Sequence, residues 1–318
     1  MDLIKREQLF NEGFYPLDRN ENLDPEYNNF VSEIVKKNST CIQNYPDYSI
    51  FTKKLSDFLG IDFENIMITC GCTEAIKIIA DYYVSWGTYV LVLEPTYDWA
   101  VKYFEQLGAN IATIQSNTSV DEIINYINNN HIEIFYLCNP HHPTGTVYSE
   151  KDLRKLIDCK TIIFIDEAYC EFSKSTFIYD AIKSNNVYVG RTFSKAWGLA
   201  GLRLGLLIAN EKLLKLVLPF KLKASVNNLV VKVASELLNN SENMKNSVKN
   251  ILKGNLYMRE GFERLGYKVY SELTVNFIYS NFPSEKLTGL KILHKIKENN
   301  TVITCPSFKI ATDIFKWY

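Results

Sequence analysis

From residue 66 onward, short apolar runs of strand length recur, separated by longer stretches in which apolar positions return every three to four residues. The runs fall at 66–70, 89–93, 111–114, 134–138, 162–165, 187–189 and 204–208, with amphipathic segments such as Ile76, Ile79, Ala80 and Tyr83 between them. A strand covered on both faces reads as a continuous apolar run, whereas a helix at a surface shows an apolar stripe. Their alternation predicts βαβ units, and hence an α/β fold with a mostly parallel seven-stranded sheet and helices on both faces. Beyond Glu211 the pattern turns long and helical, through Leu213, Leu214, Leu216 and Val217, then 229–238 and 244–265. A smaller α+β part follows, with apolar runs at 267–270, 276–279 and 302–305 and a helical stretch at 290–297. The first forty residues are polar, punctuated by Pro16 and Pro25, with one short helical pattern at 27–37.

Composition narrows what such a sheet serves. Lys and Arg number 35 against 36 Asp and Glu, so no global field favours nucleic acid or a membrane surface. The N-terminal segment has no apolar core of signal-peptide type, and no stretch reaches the length of a membrane span, which predicts a cytoplasmic protein. Seven scattered cysteines, an odd number, read as reduced core thiols. Cys70-Gly-Cys72 and His141-His142 lack the second ligand pair of a zinc site, so no metal is expected.

Ligands of open parallel sheets bind beyond the carboxyl ends of the strands, and the unusual residues of this chain fall there. After the first run, Gly71 allows a tight turn and the amides of Cys72 and Thr73 open a helix, a place suited to phosphate; Thr73 as a plain N-cap uses the same geometry. After the second stands Tyr97, and after the fourth Asn139 opens Asn-Pro-His-His-Pro-Thr-Gly145, a loop fixed by two prolines and a glycine. The fifth run ends in Asp166, a buried carboxylate that needs a partner, with Tyr169 three residues on; an N-cap or a magnesium ligand is the alternative for Asp166. After the sixth comes Thr192-Phe-Ser194-Lys195, followed by Gly198, Gly201, Arg203 and Gly205. A basic loop behind a buried strand is the plain alternative for Lys195.

Taken in order, these motifs resemble the class I and II aminotransferases, fold-type-I pyridoxal-phosphate enzymes, and within them the histidinol-phosphate aminotransferase branch, with phosphothreonine decarboxylases close by. The resemblance runs from about residue 20 to 310. It implies pyridoxal 5′-phosphate carried by Lys195 as a Schiff base, a phosphate cup from Gly71, Cys72, Thr73, Thr192, Ser194 and Arg203, and Tyr97 stacked on the pyridine ring. Asp166 then pairs with the ring nitrogen, Asn139 and Tyr169 reach O3′, and Lys195, Asp166 and Tyr169 form the catalytic set. It further implies a homodimer in which Tyr45 of Asn-Tyr-Pro-Asp47 reaches the neighbour's phosphate, and a large domain at 42–215 beside a small one built from 1–41 and 216–318. Asn22, in Asn20-Glu-Asn22, is placed near the substrate, although a solvated loop is the equal alternative.

The departures lie near the C-terminus. The family's carboxylate-clamping arginine aligns with Lys309 in Phe308-Lys-Ile-Ala-Thr312, and Thr304 stands where a second arginine is expected. A lysine is a point charge without the planar fork of arginine. The expectation is therefore an aminotransferase acting on a small amino donor and a small, phosphorylated carbonyl acceptor, with Arg19, Lys221 or Lys223 as phosphate grips. A decarboxylase of a phosphorylated amino acid is the alternative reaction, and an inactive pyridoxal-phosphate-binding homologue the alternative outside enzymes.

Overall fold

The computed structural model describes residues 8, 9 and 11–316. The N-terminal arm leads into α1 (Pro25–Asn38), begun by Asp24, whose carboxylate accepts from Glu26 N at 3.2 Å while Pro25 takes the first helical position. There follow α2 (Ser49–Leu59), β1 (Ile66–Thr69), α3 (Gly71–Tyr83), β2 (Tyr89–Glu94), α4 (Asp98–Gln106), β3 (Asn110–Gln115) and α5 (Val120–Asn129). Next come β4 (Ile134–Cys138), α6 (Glu150–Leu156), β5 (Ile162–Asp166), α7 (Cys170–Ser173), α8 (Ile178–Ala181), β6 (Val187–Thr192) and β7 (Gly205–Ala209). The C-terminal part holds α9 (Glu211–Val217), α10 (Asn228–Asn239), α11 (Ser241–Arg264), β8 (Phe277–Ser280), α12 (Ser284–Gly289), β9 (Lys295–Lys297), β10 (Asn300–Thr304) and α13 (Phe308–Ile314).

β1 to β7 form one sheet in the order β1-β7-β6-β5-β4-β2-β3. Its pairs from β6 through β3 are parallel, and only β7 runs against its neighbours. Two apolar clusters cover its faces: one centred on Phe135, Ile163 and Val189, the other on α3 with Val90, Tyr136, Phe164 and Tyr188. Successive residues of the central strands alternate between those clusters, which gives them near-continuous apolar runs, whereas the edge strand β3 leaves Thr113 exposed.

β8, β10 and β9 form a small antiparallel sheet. Here two expectations fail. Residues 267–270 make only a bridge, Val269 to Ser280, and 290–297 is not a helix. Instead Tyr15 N donates to Lys291 O at 2.8 Å and Leu293 N to Tyr15 O at 2.9 Å, so the N-terminal arm takes the backbone groups that a helix would have used internally. Ile292 and Leu293, adjacent in sequence, are both buried, while Leu290 and Ile296 of the supposed stripe are exposed. Long-range pairing overrides a weak local period.

Candidate active site

The carboxyl ends of β4, β5 and β6, together with the start of α3, open onto one cleft with about 730 Å³ of empty space. Cys72, Thr73, Tyr97, Asp166, Tyr169, Thr192, Ser194, Lys195 and Arg203 all line it, from segments up to 131 residues apart in sequence, Cys72 to Arg203.

One wall is an anion cradle. Gly71 has φ +74°, and a Cβ there would stand 2.7 Å from Arg203 Nη2, so the guanidinium lies directly against the turn that starts α3. Gly205 has the same duty from the other side, since its Cβ would meet Cys72 N at 2.6 Å. Arg203 Nη1 donates to Ser194 Oγ at 3.3 Å, and Thr192 Oγ1 accepts from Ser194 N at 3.1 Å. A thirteen-residue helix directs its free N-terminal amides at that spot, beside a guanidinium and two hydroxyls. Unpaired amides, the helix dipole and a fork of charged donors are the donor set that a phosphate dianion requires.

The opposite wall is a buried carboxylate. Asp166 accepts from Tyr136 Oη at 2.8 Å, from Ala168 N at 3.0 Å and from Cys72 Sγ at 3.4 Å. Gly190 makes room for that thiol, because its Cβ would stand 2.6 Å from Cys72 Sγ. All three donors are neutral, and burial raises the Asp166 pKa despite them. The same burial and the adjacent carboxylate push the Tyr136 hydroxyl and Cys72 thiol far up, so both remain proton donors. A buried carboxylate held by neutral donors and facing a cavity is suited to a protonated ring nitrogen, which compensates its desolvation.

Between the walls, Lys195 Nζ donates to Arg19 O at 2.8 Å and lies 5.8 Å from the Tyr169 ring centroid. Burial, and after it the positive charge of Lys295, lower its pKa to about 8. Tyr169 Oη accepts from Asn20 Nδ2 at 3.0 Å. Tyr97, pushed up to about 12 by burial, bonds Thr73 and closes one side. Cradle, carboxylate and amine thus match the phosphate, ring nitrogen and aldehyde of pyridoxal phosphate.

Three expected site residues stand elsewhere, and Tyr45, expected at a neighbouring subunit's phosphate, lies outside the cleft of its own chain. Asn139 is buried, but its Oδ1 accepts from Tyr148 N at 2.9 Å and its Nδ2 makes a long 3.5 Å contact to Tyr148 O; it does not line the cleft. Asn22 is structural: Nδ2 donates to Ala196 O at 2.9 Å and Ser247 Oγ at 3.0 Å, bracing the lysine loop from behind. Tyr45 is 90 % exposed. Lys309 lies on the exposed face of α13, outside the cleft, because the chain turns at Pro306 and packs α13 on α11; Gly254 admits Pro306 O so closely that any Cβ would overlap it. Thr304 does approach the site, accepting from Asn20 N at 2.7 Å. Of the proposed phosphate grips, Arg19 lines the cleft, whereas Lys221 sits over the Tyr48 ring and Lys223 lines no part of the cleft. Within the Asn20-Glu-Asn22 segment expected near the substrate it is Asn20 that lines the cleft, whereas sequence reasoning missed His142 and Lys295 as lining residues and Tyr136 as the partner of Asp166. For His142 and Tyr136 a signal existed: one lies inside the proline-fixed loop, and the other is a polar-tipped residue within a buried run two strand positions before its end.

A family profile described as aminotransferase class I and II matches residues 10–313. Histidinol-phosphate aminotransferase of Clostridium novyi (strain NT) is 31 % identical over 74 % of this chain and 68 % of its own length. That of Thermoanaerobacter sp. (strain X514) is 32 % identical over 84 % and 78 %. Among solved structures, histidinol-phosphate aminotransferase from Sinorhizobium meliloti in complex with pyridoxal-5′-phosphate superposes with a TM-score of 0.88 over 99 % of this chain and 93 % of that one, at 18 % identity. L-threonine-O-3-phosphate decarboxylase from Porphyromonas gingivalis superposes at 0.81 over 93 % and 96 %, at 19 % identity, so the fold is shared by two reactions.

Proposed function

We propose that this chain, which belongs to the class I and II aminotransferase family and is a pyridoxal-phosphate-dependent aminotransferase, moves an amino group between an amino donor and a small phosphorylated carbonyl compound. The observation that carries the reading is the convergence of Lys195, Asp166 and the Arg203 cradle on one cleft. When bound, the cofactor supplies an aldehyde for the amine and an electron-poor ring that takes up charge from the substrate Cα. Lys195 Nζ would be the amine that holds it and, as a free amine, would move the proton at the substrate Cα as general base and acid; a pKa of about 8 leaves a useful neutral fraction near pH 7. Asp166 would keep the ring nitrogen protonated, Thr192, Ser194, Arg203, Cys72 and Thr73 would hold the phosphate, and Tyr97 and Tyr169 would confine the ring.

The phosphorylated acceptor is supported by the relatives' substrate and by Arg19 at the mouth. The exposed Tyr45 fits a homodimer in which it completes the partner's cradle. We divide the chain into 42–215 and 1–41 with 216–318, the second carrying the small sheet. We place it in the cytoplasm, where its seven unpaired thiols are stable; no described helix is long and apolar enough to cross a membrane. Mixing the holoenzyme with candidate amino donors tests the reaction: the expected product is pyridoxamine phosphate, seen by its absorbance. Release of carbon dioxide without pyridoxamine phosphate supports the decarboxylase instead.

A further inference from the structure

Four basic side chains line the cleft, Arg19, Lys195, Arg203 and Lys295, with Arg19 Nε 3.7 Å from Asp18 Oδ2. Arg203 belongs to the cradle and Lys195 to the aldehyde, while Arg19 and Lys295 stand on the outer side, where both also line a larger chamber that continues outward past Tyr97. Lys295 begins β9, whose sequence is Lys-Ile-Lys. The two-residue strand period puts Lys295 and Lys297 on one side and the 63 % exposed Ile296 on the other. Lys297 is ion-paired to Asp98 at the first residue of α4, which fastens this edge strand to the large sheet's helix and holds Lys295 over the cleft. The charge of Lys295 is felt by both Lys195 and His142. His142 lines the same cleft; its Nδ1 is buried and makes no hydrogen bond among the described residues, and burial keeps its imidazole neutral. The arginines of the C-terminal third are occupied elsewhere: Arg259 donates to Ser271 O, and Arg264 Nε to Glu260 O at 3.2 Å.

We propose that Lys295 is the specificity-determining residue of this cleft, anchoring the anionic group of the amino substrate. The proposal rests on the aminotransferase reading and deepens it: the substrate is an amine bearing a phosphomonoester or a carboxylate, held by an ammonium from the small sheet. The long, unbranched lysine stem on an edge strand suits an anion carried at some distance from the reacting amine, in the outer chamber.

The test uses holoenzyme, as wild type, Lys295→Gln and Lys295→Arg, with three amines: O-phosphoethanolamine, L-glutamate and uncharged-tailed ethanolamine. Calorimetric binding of inorganic phosphate is the readout without turnover. Lys295→Gln is expected to raise KM for the preferred anionic amine by about 10- to 100-fold, to raise KM for ethanolamine far less, and to weaken phosphate binding by a factor similar to the first, any change in kcat from the altered Lys195 pKa being common to all three amines. Lys295→Arg restores both. Which anionic amine loses more distinguishes phosphate from carboxylate. An equal rise in KM for ethanolamine, or unchanged phosphate binding in Lys295→Gln, overturns the proposal. Absence of turnover with every amine in wild type, with phosphate binding still dependent on Lys295, overturns the aminotransferase reading and leaves the anion site standing.

Discussion

The two sides of the cleft are built by different means. The cofactor side is delivered by consecutive strand ends of one rigid sheet: Asp166, Thr192 and the turn at Gly71 lie within a few residues of buried runs, and each is fixed by neighbours of its own layer. The substrate side is assembled across the molecule. Arg19 and Asn20 arrive on the N-terminal arm, Thr304 at the end of β10 and Lys295 on a three-residue edge strand, joined by backbone pairing between Tyr15 and Leu293 and by Asn276 Nδ2 to Asn20 O at 3.0 Å. Chemistry common to a cofactor is thus carried by the part of the fold that is hardest to deform, and recognition by parts that alter without disturbing it.

Substitutions should separate the two sides by what they damage. Lys195→Ala is expected to have the largest effect, a loss of kcat of about 10⁴-fold or more with non-covalent cofactor affinity largely retained. Stopped-flow turnover beside equilibrium cofactor titration checks both halves. Next, Asp166→Asn removes the charge facing the ring nitrogen and should cost roughly 10²- to 10³-fold in kcat, with cofactor bound but weakened. Tyr136→Phe deletes the 2.8 Å bond that lowers the Asp166 pKa and so acts only through it; a loss of about tenfold, larger at lower pH where Asp166 then protonates first, is expected from kcat–pH profiles. An effect on KM alone in any of these three would place the residue on the wrong side of the comparison.

A pH experiment joins the sides. Lys195 reacts as the neutral amine, so the rate at which apoprotein captures pyridoxal phosphate should rise with pH through about 8. Burial is the first cause of that low value and Lys295 the second, so removing the Lys295 charge disfavours Lys195 ionisation less and raises its pKa. The profile of Lys295→Gln is therefore expected to move to higher pH, and a move to lower pH contradicts the placement of Lys295. The smallest effect belongs to Lys309→Ala, which should leave KM and kcat for every amine within about twofold, because that side chain is an exposed surface position.

The same contrast explains what the sequence revealed. Strand positions from 66 to 208 are legible because burial on both faces leaves near-continuous apolar runs, and most cleft residues because Cys72, Thr73, Tyr97, Asp166, Tyr169, Thr192, Ser194 and Lys195 stand within six residues after such a run, whereas Arg203 stands just before one. Lys295 was hidden inside a segment whose apolar spacing imitates a helix and whose fate depends on pairing with residue 15. Lys309 was misplaced because alignment of a short run cannot show that the chain turns at Pro306 and packs α13 against α11. Asn139 shows a subtler gap: its loop was recognised, yet only the fold reveals that Tyr148 takes its carboxamide.

The central claim is that one buried amine, flanked by a phosphate cradle and an isolated carboxylate, carries the cofactor. Borohydride reduction of the purified holoenzyme followed by peptide mapping tests it most directly. The account predicts the phosphopyridoxyl label on Lys195 in stoichiometric amount and on no other lysine; a label on Lys295 or any other residue, or none, contradicts it.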